Sequence, residues 1–245
     1  MPRPLRLFKY HAYSMWNWRS SYLGRFIEPI AYFAFLIAGL NSVMQSSTGI
    51  NYVQFALSGM ICFLAFRSAT STVSDVANDR KWGVFAIYTL QGGSTAGYLF
   101  SVVLFSMAVF IVQFLLLWGV SLLAFGWQIS LDQLALQGLV GMLIVLGWNG
   151  CGAAIGARIQ SYSVRDMIVV LTSLPVILSA PLFYPLDGAP SYLRAISSVN
   201  PLTYQVQWLR NPDLTNIGWA AGWAVAGLIV GGFMLASAER VSRER

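Results

Sequence analysis

Charge is what this chain lacks most. No Asp, Glu, Lys or Arg occurs from Pro29 to Phe66, and none from Trp82 to Leu131. A soluble protein spreads charge over its whole surface. Here charged residues are 10% of the 245, against roughly 25% in ordinary soluble domains. Each gap is longer than the run of about 20 apolar residues that crosses a bilayer as one helix. Histidine and cysteine are almost missing too. Cys62 and Cys151 both fall in apolar runs, which excludes a disulfide scaffold or a zinc site. His11, the single histidine, is expected as a surface imidazole. The only lysines are Lys9 and Lys81, and no Gly-x-x-x-x-Gly-Lys-Ser/Thr loop occurs, so the chain cannot hold ATP in the P-loop manner. With no His-x-x-x-His, Cys-x-x-Cys or Gly-x-Ser-x-Gly pattern, hydrolytic and metal chemistry lack their usual groups. Enzyme activity and a cofactor bound by this chain are not expected.

What is present is hydrophobic: 57% of the residues. Six apolar stretches can be read, at 26–44, 53–72, 98–125, 134–157, 167–184 and 219–238. Backbone in lipid must satisfy its own hydrogen bonds, so each is expected as a helix; the strict alternation of an outer-membrane barrel is absent. The expected fold class is therefore all-α, a polytopic membrane protein with six transmembrane helices. Residues 1–245 form one domain, with no room for a separate soluble one.

The net charge is +6, but the basic residues sit at helix ends and form no continuous patch, so no nucleic-acid partner is expected. Alternate ends of the spans carry twelve Lys and Arg on one side and only Arg194 and Arg210 on the other. Basic loops stay inside, which places both termini in the cytoplasm. Residues 1–25 mix Arg3, Arg6, Lys9 and Arg19 with Tyr10, Tyr13, Trp16 and Trp18. That is too charged for a cleaved signal peptide and fits an interface helix among membrane lipid headgroups.

Few charges fall within spans. Glu28 lies about one turn into the first and Arg67 near the end of the second. Intramembrane ions are costly and often paired, so these two are expected either to pair or to snorkel separately. No other acid lies inside a span, so an ion-coupled carrier lacks its relay and energy must come from another subunit. Gly147, Gly150, Gly152, Ala153 and Gly156 in the fourth span, and Gly222, Gly227 and Gly231 in the sixth, mark close helix contacts, within the chain or at a dimer seam. Pro175 and Pro181 should kink or end the fifth span.

Two connections carry further information. Segment 75–96 starts with charge and continues amphipathically to Gln91-Gly92-Gly93; it is too short to cross and too apolar for a plain linker. Segment 185–210 is too hydrophobic for a floppy loop and too rich in proline for one span, so two short external re-entrant helices are expected. Around the latter run Pro181-Leu182-Phe183-Tyr184-Pro185-Leu186, then Leu193-Arg194, Asn200-Pro201-Leu202-Thr203-Tyr204 and Leu209-Arg210. This order before a last span resembles the C-terminal signature of ABC-2 type permeases, the membrane subunits of ATP-binding-cassette exporters. The entry Leu23-Gly24 … Glu28-Pro29 and the six-span layout extend the resemblance over nearly the whole chain.

The resemblance implies a permease of the bacterial cytoplasmic (inner) membrane, working as a homodimer with two ABC ATPase subunits that hold ATP and Mg. Residues 79–94 would be the coupling helix that docks on the ATPase, through Asp79, Arg80, Lys81, Trp82, Gly83, Phe85 and Tyr88; Gln91-Gly92-Gly93 replaces the family's common proline there. The path would be lined by the second and fifth spans. Phe183, Tyr184, Tyr192, Tyr204 and Trp208 would form an aromatic rim at the external exit. Aromatic-rich, nearly uncharged spans point to an amphipathic substrate: a lipid-linked or polymeric glycan first, a hydrophobic drug, lipid or natural product second. A membrane anchor or assembly factor that lines no path is the remaining alternative.

Overall fold

A computed structural model describes residues 2–49, 51–126 and 129–243. Ten α-helices and no strand occur among these residues. They are α1 (Arg3–Asn17), α2 (Arg19–Thr48), α3 (Tyr52–Lys81), α4 (Val84–Leu90), α5 (Thr95–Phe125), α6 (Leu131–Gly156), α7 (Tyr162–Ser179), α8 (Ser191–Val199), α9 (Pro201–Arg210) and α10 (Leu214–Arg243). Six of them, α2, α3, α5, α6, α7 and α10, are long and apolar enough to cross a membrane. The chain is an all-helical multi-pass membrane protein.

Local sequence explains where these helices begin and end. Asn51, Ser94, Ser130 and Ser161 each accept a hydrogen bond from the backbone N–H three residues on. This satisfies donors that a helix start leaves open. Helix α3 runs to Lys81, well past the expected end at 72, because nothing interrupts it until Gly83, whose φ of +78 turns the chain into α4. At 1.5 Å per residue its 30 residues span about 45 Å, against a hydrocarbon thickness of about 30 Å. The segment read as a connection from 75 therefore begins as the last turns of α3. Conversely α7 stops at Ser179, short of the expected 184. Ala180 precedes Pro181 and takes the extended conformation (φ −90, ψ 148) that proline imposes on its predecessor. Pro175 lies inside α7 without ending it. The basic-aromatic segment breaks at Trp18, so residues 19–25 open α2 and do not belong to the interface helix.

Helix α3 is the hub: it packs on α6, α5, α2, α9 and α7, and 72% of its apolar stretch is buried. The tightest pair is α6 with α10. A side chain at Gly147 or Gly150 would overlap the α10 backbone at Trp223 or Gly227, and one at Gly227 or Gly231 would overlap α6 in return. Gly152 and Gly156 let α6 approach the carbonyls of Ala69 and Val73 on α3 in the same way. These glycines serve contacts within the chain; only Gly222 faces open space. By contrast the apolar stretches of α2 and α7 are only 17% and 11% buried.

Candidate functional site

The weakly covered helices border a polar recess of the bundle. It holds about 230 Å³ and is walled by α2, α3, α5 and α7. Helix α3 gives it Arg67, Ser68, Thr70, Ser71, Ser74 and Asp75. Arg25 comes from α2, Ser106 and Gln113 from α5, and Ser173 from α7. Spacing explains the lining, since residues three, four and seven apart share one helix face. Several hydroxyls are anchored on their own helix, Ser68 to Ala65 O at 2.6 Å and Ser74 to Thr70 O at 3.2 Å. This is the usual way such groups are carried at membrane depth.

At the rim Arg67 grips Glu28 with a two-pronged bridge, Nη2 to Oε2 at 2.7 Å and Nη1 to Oε1 at 3.2 Å. The structure thus brings these two residues together and joins α2 to α3. Gln113 donates to the Arg25 carbonyl at 2.9 Å. Behind the recess Asn149 of α6 accepts from both Thr72 (2.9 Å) and Ser106 (3.0 Å), tying α3, α5 and α6 at one buried amide. Nothing in the bare sequence singled out Asn149; a lone buried Asn among glycines carries no periodic signal.

The end of the bundle that carries α4 is built differently from expectation. Asp79 is not displayed: it is 4% exposed and accepts the Tyr98 hydroxyl at 2.8 Å. His11, expected at the surface, is buried beside it, with Nε2 3.4 Å from the same carboxylate oxygen and its ring stacked on Phe105. That separation lies beyond a good N–H···O bond of about 2.7–3.2 Å, so burial decides its chemistry and pushes His11 down to about 4. Phe85 and Tyr88 also turn inward, Phe85 edge-on to Tyr98 at 4.8 Å. Arg80 donates to the Ala157 carbonyl. Of the expected contact residues, Lys81 and Trp82 remain exposed at the turn around Gly83, with Trp82 Nε1 donating to Tyr162 OH at 2.7 Å and Lys81 over the Tyr162 ring. The outward face of α4 is instead Ile87 and Leu90, 55% and 86% exposed. They were missed because seven residues are too few to give a periodic pattern.

At the opposite end segment 185–210 forms the two expected short helices, α8 and α9, parted at Asn200-Pro201. The five aromatic residues assigned to a rim do not share one environment. Phe183 and Trp208 pack on the core. Tyr184 is tied to the Leu178 carbonyl and Tyr204 to Ser198 O at 2.7 Å, while Tyr192 is 67% exposed. The fastener at this end is Arg210, which donates to Pro181 O at 2.9 Å and Leu182 O at 3.3 Å and lies over the Phe55 ring. Burial lowers Arg210 to about 10.

The ABC-2 type transporter family matches residues 5–212. The protein named as transport permease ycf38 in Cyanophora paradoxa is 27% identical over 164 residues, 65% of this chain and 56% of that relative. Its namesake in Porphyra purpurea is 23% identical over 200 residues, 80% of this chain and 68% of that relative. The match to the Cyanophora protein thus spans little more than half of that protein's length. Because the family match covers residues 5–212, from α1 past the end of α9, the chain belongs to the ABC-2 type transporter family.

Proposed function

We propose that this chain is the permease of an ATP-driven exporter, set in a bacterial cytoplasmic membrane with both termini inside, and acting as a homodimer with two ATPase subunits. ATP and Mg are held by the partner, and closure of the ATPases is transmitted through α4 and α1 to the spans as alternating access. The observation that carries this reading is the hydroxyl-lined recess between α2, α3, α5 and α7. A twofold partner laying its own α2 and α7 against this copy would join two such recesses into one path. Serine and threonine hydroxyls with Gln113 and Arg67 exchange hydrogen bonds with a polyhydroxylated cargo. Several of these groups already donate within the chain, and their remaining lone pairs and N–H groups are ones that a purely apolar drug would not use. The cargo is therefore a glycan, polymeric or lipid-linked, moved outward.

The test is reconstitution of the chain with its cognate ATPase in proteoliposomes. Hydrolysis should rise with a lipid-linked glycan and stay flat with hydrophobic drugs. Gly83→Pro, which cannot adopt the positive φ at that turn, should uncouple hydrolysis from the permease. Stimulation by drugs alone would reverse the cargo assignment, and a chain that performs its role with no ATPase present would end the exporter reading.

A further inference from the structure

Between α1 and α4 lies a second cleft, of about 480 Å³, whose lining includes Arg3, Arg6, Tyr10, Ile87, Tyr88 and Gln91. No Asp or Glu lines it, and among the described residues no carboxylate forms an ion pair with either arginine. Arg3 spends one N–H on the Gly92 carbonyl at 2.6 Å, which fixes its position and leaves most of its five donors free. The two arginines stand three apart on one face of α1, as helix geometry requires. Two phenol hydroxyls and an amide complete a set of donors with no negative partner, set against the apolar side chain of Ile87.

Such a set calls for an anion that also has an apolar part. The surroundings specify which. The same helix α1 exposes Tyr13, Trp16 and Trp18 at 70%, 67% and 62%, the aromatic anchors of a helix lying among headgroups. Anionic lipid surfaces attract each nearby Lys or Arg. We propose that the cleft between α1 and α4 is a binding site for the phosphate of an anionic phospholipid from the adjacent leaflet, clamped by Arg3 and Arg6. Its occupant bridges two elements that touch little directly, so it staples the interface helix to α4. On the exporter reading, the lipid then stiffens the lever through which the ATPase works; the binding itself does not depend on that reading.

Native mass spectrometry of the purified full chain tests the site. The protein is exchanged into mixed micelles of phosphatidylglycerol or phosphatidylcholine, and the retained lipid is counted. Wild type should keep phosphatidylglycerol at least about tenfold better than phosphatidylcholine, as expected for two guanidinium contacts. Arg3→Gln with Arg6→Gln should abolish that preference, and Arg3→Lys with Arg6→Lys should keep most of it. Equal retention of both lipids by wild type would overturn the proposal. So would displacement of phosphatidylglycerol by millimolar inorganic phosphate, which would assign the cleft to a free anion. Unchanged lipid retention in the glutamine variant, with loss of ATPase binding, would overturn it too, as an acidic protein surface would then be the occupant. Should the glutamine variant fail to fold, the lipid preference of wild type and the phosphate competition still decide.

Discussion

His11 and Asp79 show how far a residue's role depends on what surrounds it. A histidine among arginines and aromatics reads as surface, yet here it lies on the buried face of α1, stacked on Phe105. Burial holds it at about 4, below the ordinary 6.5, so docked α1 keeps the ring neutral. The docking energy is complete above pH 6.5 and drains as pH falls from 6.5 toward 4. By pH 5 the share of the loss due to His11 is at most about 2 kcal/mol at roughly 1.4 kcal/mol per unit, because the Asp79 carboxylate 3.4 Å away favours the charged ring and offsets part of it. Acidification from pH 7.5 to 5 should therefore loosen α1, read as a change in Trp16 and Trp18 fluorescence, and His11→Phe should flatten the response. A wild-type signal that is flat over this range would show that α1 is not held this way. The Glu28–Arg67 bridge calls for a smaller effect. Its side chains are 35% and 37% exposed, so screening limits it to about 1 kcal/mol. Glu28→Gln or Arg67→Gln should lower the unfolding temperature in detergent by about 2–4 °C, with part regained in the charge-swapped double variant.

Helices were legible in the sequence wherever the bilayer imposed a length and a composition: the charge-free gaps place all six spans. What was not legible is the assignment of faces. Gly147, Gly150, Gly227 and Gly231 announced close contacts, but spacing alone could not say whether α10 or another copy supplies the partner. The structure gives α10, so Gly150→Leu or Gly227→Leu should disrupt the α6–α10 pair and reduce the folded yield several-fold. Gly222→Leu, in open space, should be tolerated; equal damage from all three would argue against an internal contact. Helix α4 teaches the same lesson. Its charged start and aromatic residues drew attention, whereas its buried side is Phe85 and Tyr88 and its outward side is Ile87 and Leu90. Phe85→Ala should destabilise the chain by about 3–5 kcal/mol, as for a buried aromatic. Leu90→Asp should leave stability unchanged while weakening ATPase stimulation. If Leu90→Asp leaves that stimulation intact, the docking face lies elsewhere.

Across the whole molecule, coverage is uneven in a way that one chain alone cannot explain. Hydrocarbon covers any apolar helix, so low burial of α2 and α7 is no defect in itself. Combined with the polar recess they border, it is one: Arg25, Arg67 and Asp75 would face lipid at a high cost if nothing sealed the opening. In the homodimer proposed above a second copy would seal it, and that arrangement specifies which surfaces would meet. Leu171 and Leu174 on α7 are 64% and 60% exposed, and Phe233 on α10 is equally open at 70%. Single cysteines at these positions separate the two faces. Cys151→Ser provides the background, since Cys62 is fully buried. Crosslinking in membranes should join copies through Leu171→Cys and Leu174→Cys and not through Phe233→Cys. The reverse pattern would put α10 at the seam, leave the recess open to lipid, and remove the shared path on which transport by this pair of subunits is argued.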